Sequence, residues 1–183
     1  PGGPFVLEAT AGPNATRSIT DVLVGDVFLM LPGNYFIPGL ASFLVAHLFY
    51  IVLFRQSQPW FPSRTALVYV LAFGAVMYAT LWGNLGDPVL KGAVAAYVCV
   101  ISLMAAQAIG RATAQGDAAA RWVAVGACVF MLSDSLIAVN KFLAPVPLAS
   151  FWILLTYYAA QLLIVHNVIA GKPATSAAER QYG

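Results

Sequence analysis

The chain has 183 residues, of which 61% are hydrophobic and 9% are charged, with a formal net charge of +2. About a quarter of the residues in ordinary globular proteins are charged, so this composition, with a mean hydropathy of +0.81, excludes a typical soluble domain and indicates a protein that lives in lipid. The small net charge, without any basic run, also argues against nucleic acid as a partner.

The chain begins with segments that are not ordinary membrane spans. Residues 1–17 are rich in Gly and Pro and predict a disordered or aberrant leader, because they have neither the positive n-region nor the apolar h-region of a signal peptide. The next stretch, about 18–31, is apolar but short, and it contains both Asp21 and Asp26. It forms a span only if its helix is distorted or if upstream residues supply the first turns.

Five further apolar stretches are long enough to cross the ~30 Å hydrocarbon layer as helices. Their predicted bounds are 36–54, 64–82, 88–109, 120–141 and 146–170. The connections are short and rich in Pro, Gly and Asn, which makes neighbouring helices antiparallel. The sequence therefore predicts an all-α, up-and-down membrane bundle of about six helices over 18–171, followed by a polar cytoplasmic tail at 172–183.

The basic residues predict an orientation, because Lys and Arg accumulate in cytoplasmic loops. With a cytoplasmic start and six crossings, Lys91 and Lys141 fall outside. Seven residues fall inside: Arg17, Arg55, Arg64, Arg111, Arg121, Lys172 and Arg180. The sequon at Asn14 is then cytoplasmic and silent. The expected location is the plasma membrane of a bacterium or the endoplasmic reticulum membrane of a eukaryote.

Four other residues have structural interpretations. Cys99 and Cys128 stand in apolar runs without CxxC or Cys/His spacing, which predicts packing roles and indicates neither a disulfide nor a metal site. Trp60 and Trp82 fit aromatic belts at the two membrane surfaces.

Two aspartates lie inside apolar segments, Asp26 in "GD" and Asp134 in "SD". An ionisable group at membrane depth costs several kcal/mol unless it faces the bundle interior, a cavity or a partner, so each one is a candidate site residue. Counting along the spans places both toward the outer half, and we expect them to share one site. The alternative is that each only pairs with a neighbouring helix.

Other polar residues are candidates for binding a substrate at this site. Phe43, His47 and Tyr50 follow i, i+4, i+7 spacing and share a helix face, and Tyr157 and Gln161 stand at i, i+4 in the last span. The full set of candidates is His47, Tyr50, Tyr78, Tyr97, Ser133, Asn140, Tyr157 and Gln161. Each of these could equally well make an interhelical polar contact worth ~1 kcal/mol.

The motifs restrict the chemistry. The chain contains no GxSxG, HExxH, Walker or GxGxxG motif, which excludes serine hydrolysis, zinc proteolysis and nucleotide use by those routes. Carboxylate chemistry remains. Two nearby aspartates in a low-dielectric site favour one protonated and one ionised carboxyl group, which suits a bond that is broken by protonation through a cationic intermediate.

Five ordered segments carry a family resemblance. "VGDVFLM", "PGLASFLVAHLFYIVLF", "PVLKGAVAAYVCVISLMAAQA", "GACVFMLSDSLIAVNKF" and "TYYAAQLLIV" resemble the successive signature segments of the YhhN family over about residues 22–170. The resemblance implies an integral membrane ether hydrolase that cleaves the vinyl ether bond of lysoplasmalogens, with Asp26 and Asp134 in the two acidic motifs. The family pattern of eight helices implies that two helices before the "GD" helix are missing here.

On this hypothesis, one of Asp26 and Asp134 protonates the vinyl ether, and the other stabilises the cation and orients water. His47, Tyr157 or Gln161 would assist. The mechanism requires no metal or organic cofactor. The expected partners are a lysophospholipid substrate and membrane lipids, and a homodimer is left open.

The same polar residues are compatible with three other functions. The first is a small transporter or proton-coupled carrier that uses the same carboxylates as a relay. The second is an intramembrane aspartyl protease, which the sequence disfavours because Leu23 replaces the first glycine of GxGD. The third is a structural membrane protein in which the polar groups only hold helices together.

Overall fold

The computed structural model describes residues 36–55 and 58–170. Within this part of the chain, five helices are long and apolar enough to cross a membrane, which confirms the predicted helical bundle. They are α1, Phe36–Arg55; α2, Arg64–Leu81; α3, Pro88–Gln115; α4, Ala118–Phe142; and α5, Ala149–Ala170. A short 3-10 helix, Trp82–Asn84, continues α2. The leader, the 18–31 span and the polar tail lie outside the described residues.

Local sequence signals explain where α3 and α4 begin and end. Asp87 caps the N-terminus of α3, and Pro88 follows in the first turn, where its missing N–H is not needed. Gly116 ends α3 in the left-handed conformation, with φ 70°. Asp117 then caps α4 by accepting a hydrogen bond from the backbone N of Ala120 at 2.6 Å. This two-residue connection makes α3 and α4 antiparallel.

Two helices differ from their predicted bounds by three residues or more. Helix α3 ends at Gln115 rather than at residue 109, because its polar last turn remains helical and Arg111 Nε donates to Gln115 Oε1 at 2.7 Å. Helix α5 begins at Ala149 rather than at residue 146. The reason is that the preceding segment forms a turn, in which the side chain of Asn140 accepts a hydrogen bond from the backbone N of Val146 at 2.9 Å.

Helix α3 packs against α1, α2 and α4, and α4 also packs along α5. Small residues allow these backbones to approach closely. A Cβ atom added to Gly126 of α4 would lie 2.8 Å from Ile164 Cγ1 and 3.1 Å from the Ala160 carbonyl of α5. A Cβ on Gly74 of α2 would lie 2.5 Å from the hydroxyl of Ser102 on α3. Glycine therefore sets the spacing of two helix pairs.

The loop before α2 is fastened to α3 by one buried amide. Gln107 Oε1 accepts a hydrogen bond from the backbone N of Phe61 at 2.8 Å, and Gln107 Nε2 donates to the carbonyl of Pro59 at 3.2 Å. Phe61 has a positive φ of 46°, a conformation that a non-glycine residue adopts at some cost. The two hydrogen bonds hold the loop in that conformation.

Bulky side chains from α1, α3, α4 and α5 fill the core, and the outward surfaces are apolar. The largest fully buried residues include Tyr50, Phe54, Met104, Phe130 and Ile164. Exposed apolar residues cover the outer faces of α2 and α5: Val68, Tyr69, Val76, Phe151, Leu155 and Leu162. Apolar outer faces of this kind suit helices that are surrounded by lipid.

Both cysteines lie on the outward surface as free thiols. The predicted packing role of Cys99 and Cys128 was therefore wrong. An apolar run does not show which side of a membrane helix faces the core, because the lipid-facing side is apolar too.

The antiparallel arrangement separates the charges into two ends of the bundle. Lys91, near the start of α3, and Lys141, near the end of α4, lie at what we call the lysine end. The opposite end, the arginine end, contains Arg55, Arg64, Arg111 and Arg121. Trp60 precedes α2 and Trp82 follows it, so these two rings lie at opposite ends, as aromatic belts require.

Candidate functional site

A pocket opens among α1, α2, α3 and α4 at the lysine end. It contains about 730 Å³ of empty space, including the part that is open to the surroundings. Its walls are mainly apolar and come from all four helices, with Phe36, Phe43, Phe73, Met77, Ile101 and Met131 among the larger side chains. Three lining residues have polar side chains: Tyr97, Asp134 and Ser135.

Asp134 and Tyr97 are joined across the pocket. Asp134 of α4 is half-buried, and Tyr97 of α3 is 7% exposed. The hydroxyl group of Tyr97 donates a hydrogen bond to Oδ2 of Asp134. Ser135 does not compete for this contact, since its hydroxyl donates to the carbonyl of Met131 at 2.8 Å. The polar part of the pocket is therefore a carboxyl group held by a buried tyrosine.

Helical spacing explains why these side chains face one another. Val94, Tyr97 and Ile101 follow i, i+3, i+7 spacing and form one face of α3, and all three line the pocket. On α4, Asp134 shares a face with Ala138, one turn further along. Sequence reasoning expected an apolar wall for the alkenyl chain but identified neither the residues that form it nor Ser135. Helical spacing, counted from Tyr97 on α3 and from Asp134 on α4, could have identified Val94, Ile101 and Ala138.

His47 lies behind the pocket rather than in it. Its side chain is fully buried, and Nδ1 donates to the carbonyl oxygen of Phe43. Because a carbonyl oxygen can only accept, this bond assigns the proton of the neutral ring to Nδ1 and leaves a lone pair on Nε2. Nε2 is buried without a hydrogen-bond partner among the described residues. The ring packs edge-on against Tyr97 and Phe130, at centroid distances of 5.5 Å and 4.9 Å.

Tyr50, Gln161 and Tyr157 form the contact between α1 and α5. Tyr50 donates to Gln161 Oε1 at 3.0 Å, and Gln161 Nε2 is buried without a partner among the described residues. The ring of Tyr157 packs against Phe43 and Phe130, at centroid distances of 6.2 Å and 5.6 Å. These three predicted residues do not line the pocket.

Three other predicted residues make structural hydrogen bonds outside the pocket lining. Tyr78 donates to the carbonyl of Lys91 at 3.1 Å and joins α2 to α3. Ser133 donates to the carbonyl of Ile153 at 3.2 Å and joins α4 to α5. The exposed Asn140 holds the turn before α5. Of the eight predicted binding residues, only Tyr97 lines the pocket.

The predicted partner carboxylate, Asp26, lies outside the described residues, so its pairing with Asp134 stays a prediction. Helix α1 begins at Phe36, which lines the pocket. Asp26 precedes this residue by ten positions. Within the described part of the chain, no group of three His, Cys, Asp or Glu side chains could hold a metal ion.

Comparison with known proteins shows what the chain is similar to. It is 37% identical to lysoplasmalogenase TMEM86A of Homo sapiens over 174 residues, which cover 88% of this chain and 69% of that protein. It is 41% identical to lysoplasmalogenase TMEM86B of Homo sapiens over 146 residues, or 80% of this chain and 59% of that protein. A lysoplasmalogenase of Mycobacterium tuberculosis is 31% identical over 154 residues, or 81% of this chain and 57% of that protein.

No solved structure matches the chain significantly. The model of the YhhN family matches residues 20–168, a range that includes the whole pocket and reaches into the last turns of α5. The chain belongs to the YhhN family.

Proposed function

We propose that this protein hydrolyses the vinyl ether bond of lysoplasmalogens and releases a fatty aldehyde and glycerophosphoethanolamine or glycerophosphocholine. One observation carries the proposal: a carboxyl group, Asp134, lies in an otherwise largely apolar pocket and is held there by Tyr97. Relatives that are named lysoplasmalogenases support it. The alkenyl chain requires apolar walls, and cleavage of the vinyl ether requires an acid.

The reaction consumes one water molecule and no oxidant or reductant. A proton adds to the β-carbon of the vinyl ether, and the double-bond electrons form the new C–H bond, which leaves an oxocarbenium ion. Water attacks the cationic carbon and loses a proton, which gives a hemiacetal. Collapse of the hemiacetal breaks the bond to the glycerol oxygen and releases the aldehyde and the alcohol. The acid that gave the first proton regains one when water is deprotonated.

The two aspartates divide these roles in the proposed mechanism. One of Asp26 and Asp134 donates the proton, and the other, as a carboxylate, stabilises the cation and orients water. Tyr97 holds the carboxyl group of Asp134 in one orientation through its hydrogen bond. His47 would act indirectly in this mechanism, and the contact of its ring with Tyr97 supports that role. Tyr157 and Gln161 would support the same side of the site through Phe43 and Tyr50.

The alkenyl chain would enter sideways from the bilayer. Phe73 of α2 lines the pocket and is 46% exposed, so the pocket wall reaches the outward surface at this residue. Helices α1 and α2 both line the pocket but do not pack extensively on each other within the described residues. A hydrocarbon chain between them would remain in an apolar environment throughout.

Conservative substitutions test the proposed carboxylates. In purified protein in detergent, Asp134→Asn and Asp26→Asn are each expected to reduce aldehyde release from 1-alkenyl-glycerophosphoethanolamine by ~10²-fold or more, as loss of a general acid or base does. Asp117→Asn is the matched control, since Asn caps a helix as well as Asp does and Asp117 lies at the arginine end. Wild-type activity in both Asp134→Asn and Asp26→Asn would refute the paired-carboxylate mechanism.

The same assay tests hydrolysis against transport. If the wild-type protein releases no aldehyde while it remains folded, hydrolysis is refuted. Proton-coupled uptake into proteoliposomes would then be the measurement to make, because the carrier hypothesis uses the same carboxylates.

A further inference from the structure

One cation lies at the rim of the pocket at the end of α4. Lys141 follows Asp134 by seven residues, which places it on the same helix face and about 10 Å further along the axis. Its Nζ atom lies 4.6 Å from the ring centroid of Phe36 and 5.9 Å from that of Phe142. Both rings line the pocket. The ammonium group of Lys141 therefore lies over the aromatic rim.

A second cation lies on α3 at the same end. The Nζ atom of the half-buried Lys91 lies 4.3 Å from the ring centroid of Trp82. Leu81, which directly precedes Trp82, and Val94, which follows Lys91 by about one turn, both line the pocket. Tyr78 donates to the backbone carbonyl of Lys91 and so holds this part of α3 against α2.

Neither lysine forms an ion pair with another described residue. Within the described part of the chain, the ammonium group of each lysine contacts aromatic rings only through cation–π interactions. The acid nearest to Lys91 along the chain, Asp87, uses a side-chain oxygen to cap α3. A cation over an aromatic ring at an exposed site gains only a weak attraction. A phosphate group offers more, because charge-assisted hydrogen bonds are about twice as strong as neutral ones.

We infer that Lys141 and Lys91 bind the phosphate group of a lysophospholipid at the mouth of the pocket. This inference rests on the proposed function and specifies how its substrate is oriented. In such a lipid, the three glycerol carbons separate the phosphate from the ether oxygen. A phosphate held at the lysine end therefore directs the ether linkage into the pocket, toward Asp134.

The same geometry argues against recognition of the head-group amine at this rim. The rings of Phe36 and Trp82, which could otherwise attract an ammonium group, are already covered by the protein's own cations. A choline or ethanolamine group placed there would meet charges of the same sign. We therefore expect little discrimination between choline and ethanolamine lipids and a strong requirement for the phosphate.

Ligands that cannot be hydrolysed separate this inference from the proposed reaction. The probes are a saturated 1-alkyl-glycerophosphoethanolamine and a 1-alkylglycerol of the same chain length, with binding to the full chain measured by titration in detergent. The wild-type protein is expected to bind the phosphate-containing analogue at least about tenfold more tightly, the ratio that corresponds to one charge-assisted contact.

Each single substitution, Lys141→Gln or Lys91→Gln, is expected to weaken binding of the phosphate analogue about tenfold and to leave 1-alkylglycerol binding unchanged. Lys141→Arg should retain the affinity because it keeps the charge. Arg64→Gln, which removes one positive charge at the arginine end, is the matched control and should bind both analogues as the wild-type protein does.

Two results would overturn the inference. The first is an equal effect of the lysine substitutions on both analogues, including no effect on either, since the two ligands differ only in the phosphoethanolamine group, whose phosphate the lysines are expected to contact. The second is displacement of the lipid analogue by inorganic phosphate at similar concentrations, which would show that the site takes free phosphate. If binding follows the expected pattern but the wild-type protein releases no aldehyde from alkenyl lipids, the proposed hydrolysis fails while the phosphate site stands.

Discussion

Replacing Tyr97 by Phe tests whether the contact between Tyr97 and Asp134 serves the reaction. The substitution removes one hydroxyl group and keeps the ring, so the packing against His47 and the shape of the pocket are retained. It removes the hydrogen bond that Tyr97 donates to Asp134. Because Tyr97 is only 7% exposed, water cannot readily replace the hydroxyl group.

The expected loss follows from the chemistry of that bond. A hydrogen bond to a charged group contributes about 1.5–3 kcal/mol, which corresponds to a fall of about 10- to 150-fold in kcat/KM if the bond orients Asp134 in the transition state. The alkenyl chain contacts the apolar walls in both proteins, so the decrease should appear in kcat, with KM nearly unchanged.

The assay is aldehyde release from 1-alkenyl-glycerophosphoethanolamine, with thermal unfolding measured on the same preparations. Tyr69→Phe is the matched control, because Tyr69 is 72% exposed on the outer face of α2. A kcat/KM for Tyr97→Phe within about threefold of the wild-type value, less than 1 kcal/mol of transition-state energy, would refute the orienting role of Tyr97.

The remaining predictions concern the core and the helix ends. Tyr50→Phe removes the hydrogen bond that Tyr50 donates to the half-buried Gln161 and should lower the free energy of unfolding by about 1 kcal/mol, as measured by thermal melting. A raised KM with unchanged stability would instead support direct substrate binding by Tyr50. Gly126→Ala should cost about 1–3 kcal/mol of stability, because the new Cβ would lie 2.8 Å from a neighbouring side chain. Gly92→Ala is the control and should not destabilise the protein, since a Cβ at that position meets nothing within 4 Å. Equal melting temperatures for these two variants would contradict the close packing of α4 on α5. Gly116→Ala should cost about 1 kcal/mol through its positive φ alone, and Gly116→Asn should recover part of that loss in the same melting experiment, since Asn tolerates this conformation better.

Helix positions could be predicted from the sequence because they depend on local properties. A membrane helix needs a long apolar run, and α1, predicted over 36–54, is observed over Phe36–Arg55. The predicted spans left a break between residues 109 and 120, and Gly116 and Asp117, which end α3 and begin α4, lie within it. The end of α3 was predicted too early because backbone hydrogen bonds continue through polar residues, so hydropathy stops before the helix does.

The candidate site could be predicted only in part. Asp134 was identifiable because a carboxyl group inside an apolar run is costly unless it faces a cavity or a partner, and it lines the pocket. Its contact with Tyr97 was not identifiable, since several hydroxyl groups lie at similar depths. Tyr78 and Ser133 were predicted at the same depth as Tyr97, yet they donate to backbone carbonyls of neighbouring helices.

The sequence by itself determined that the chain forms membrane-spanning helices, where the described helices lie, and which ionisable group stands inside an apolar run. The tertiary structure decided which faces of those helices meet, and thus that Asp134 lies with Tyr97 while Tyr50 lies with Gln161. The physical reason is that a membrane helix is apolar on its lipid-facing side as well as on its packed side, so hydrophobic periodicity does not define its rotation. Close packing at residues such as Gly126 and Gly74 defines it instead.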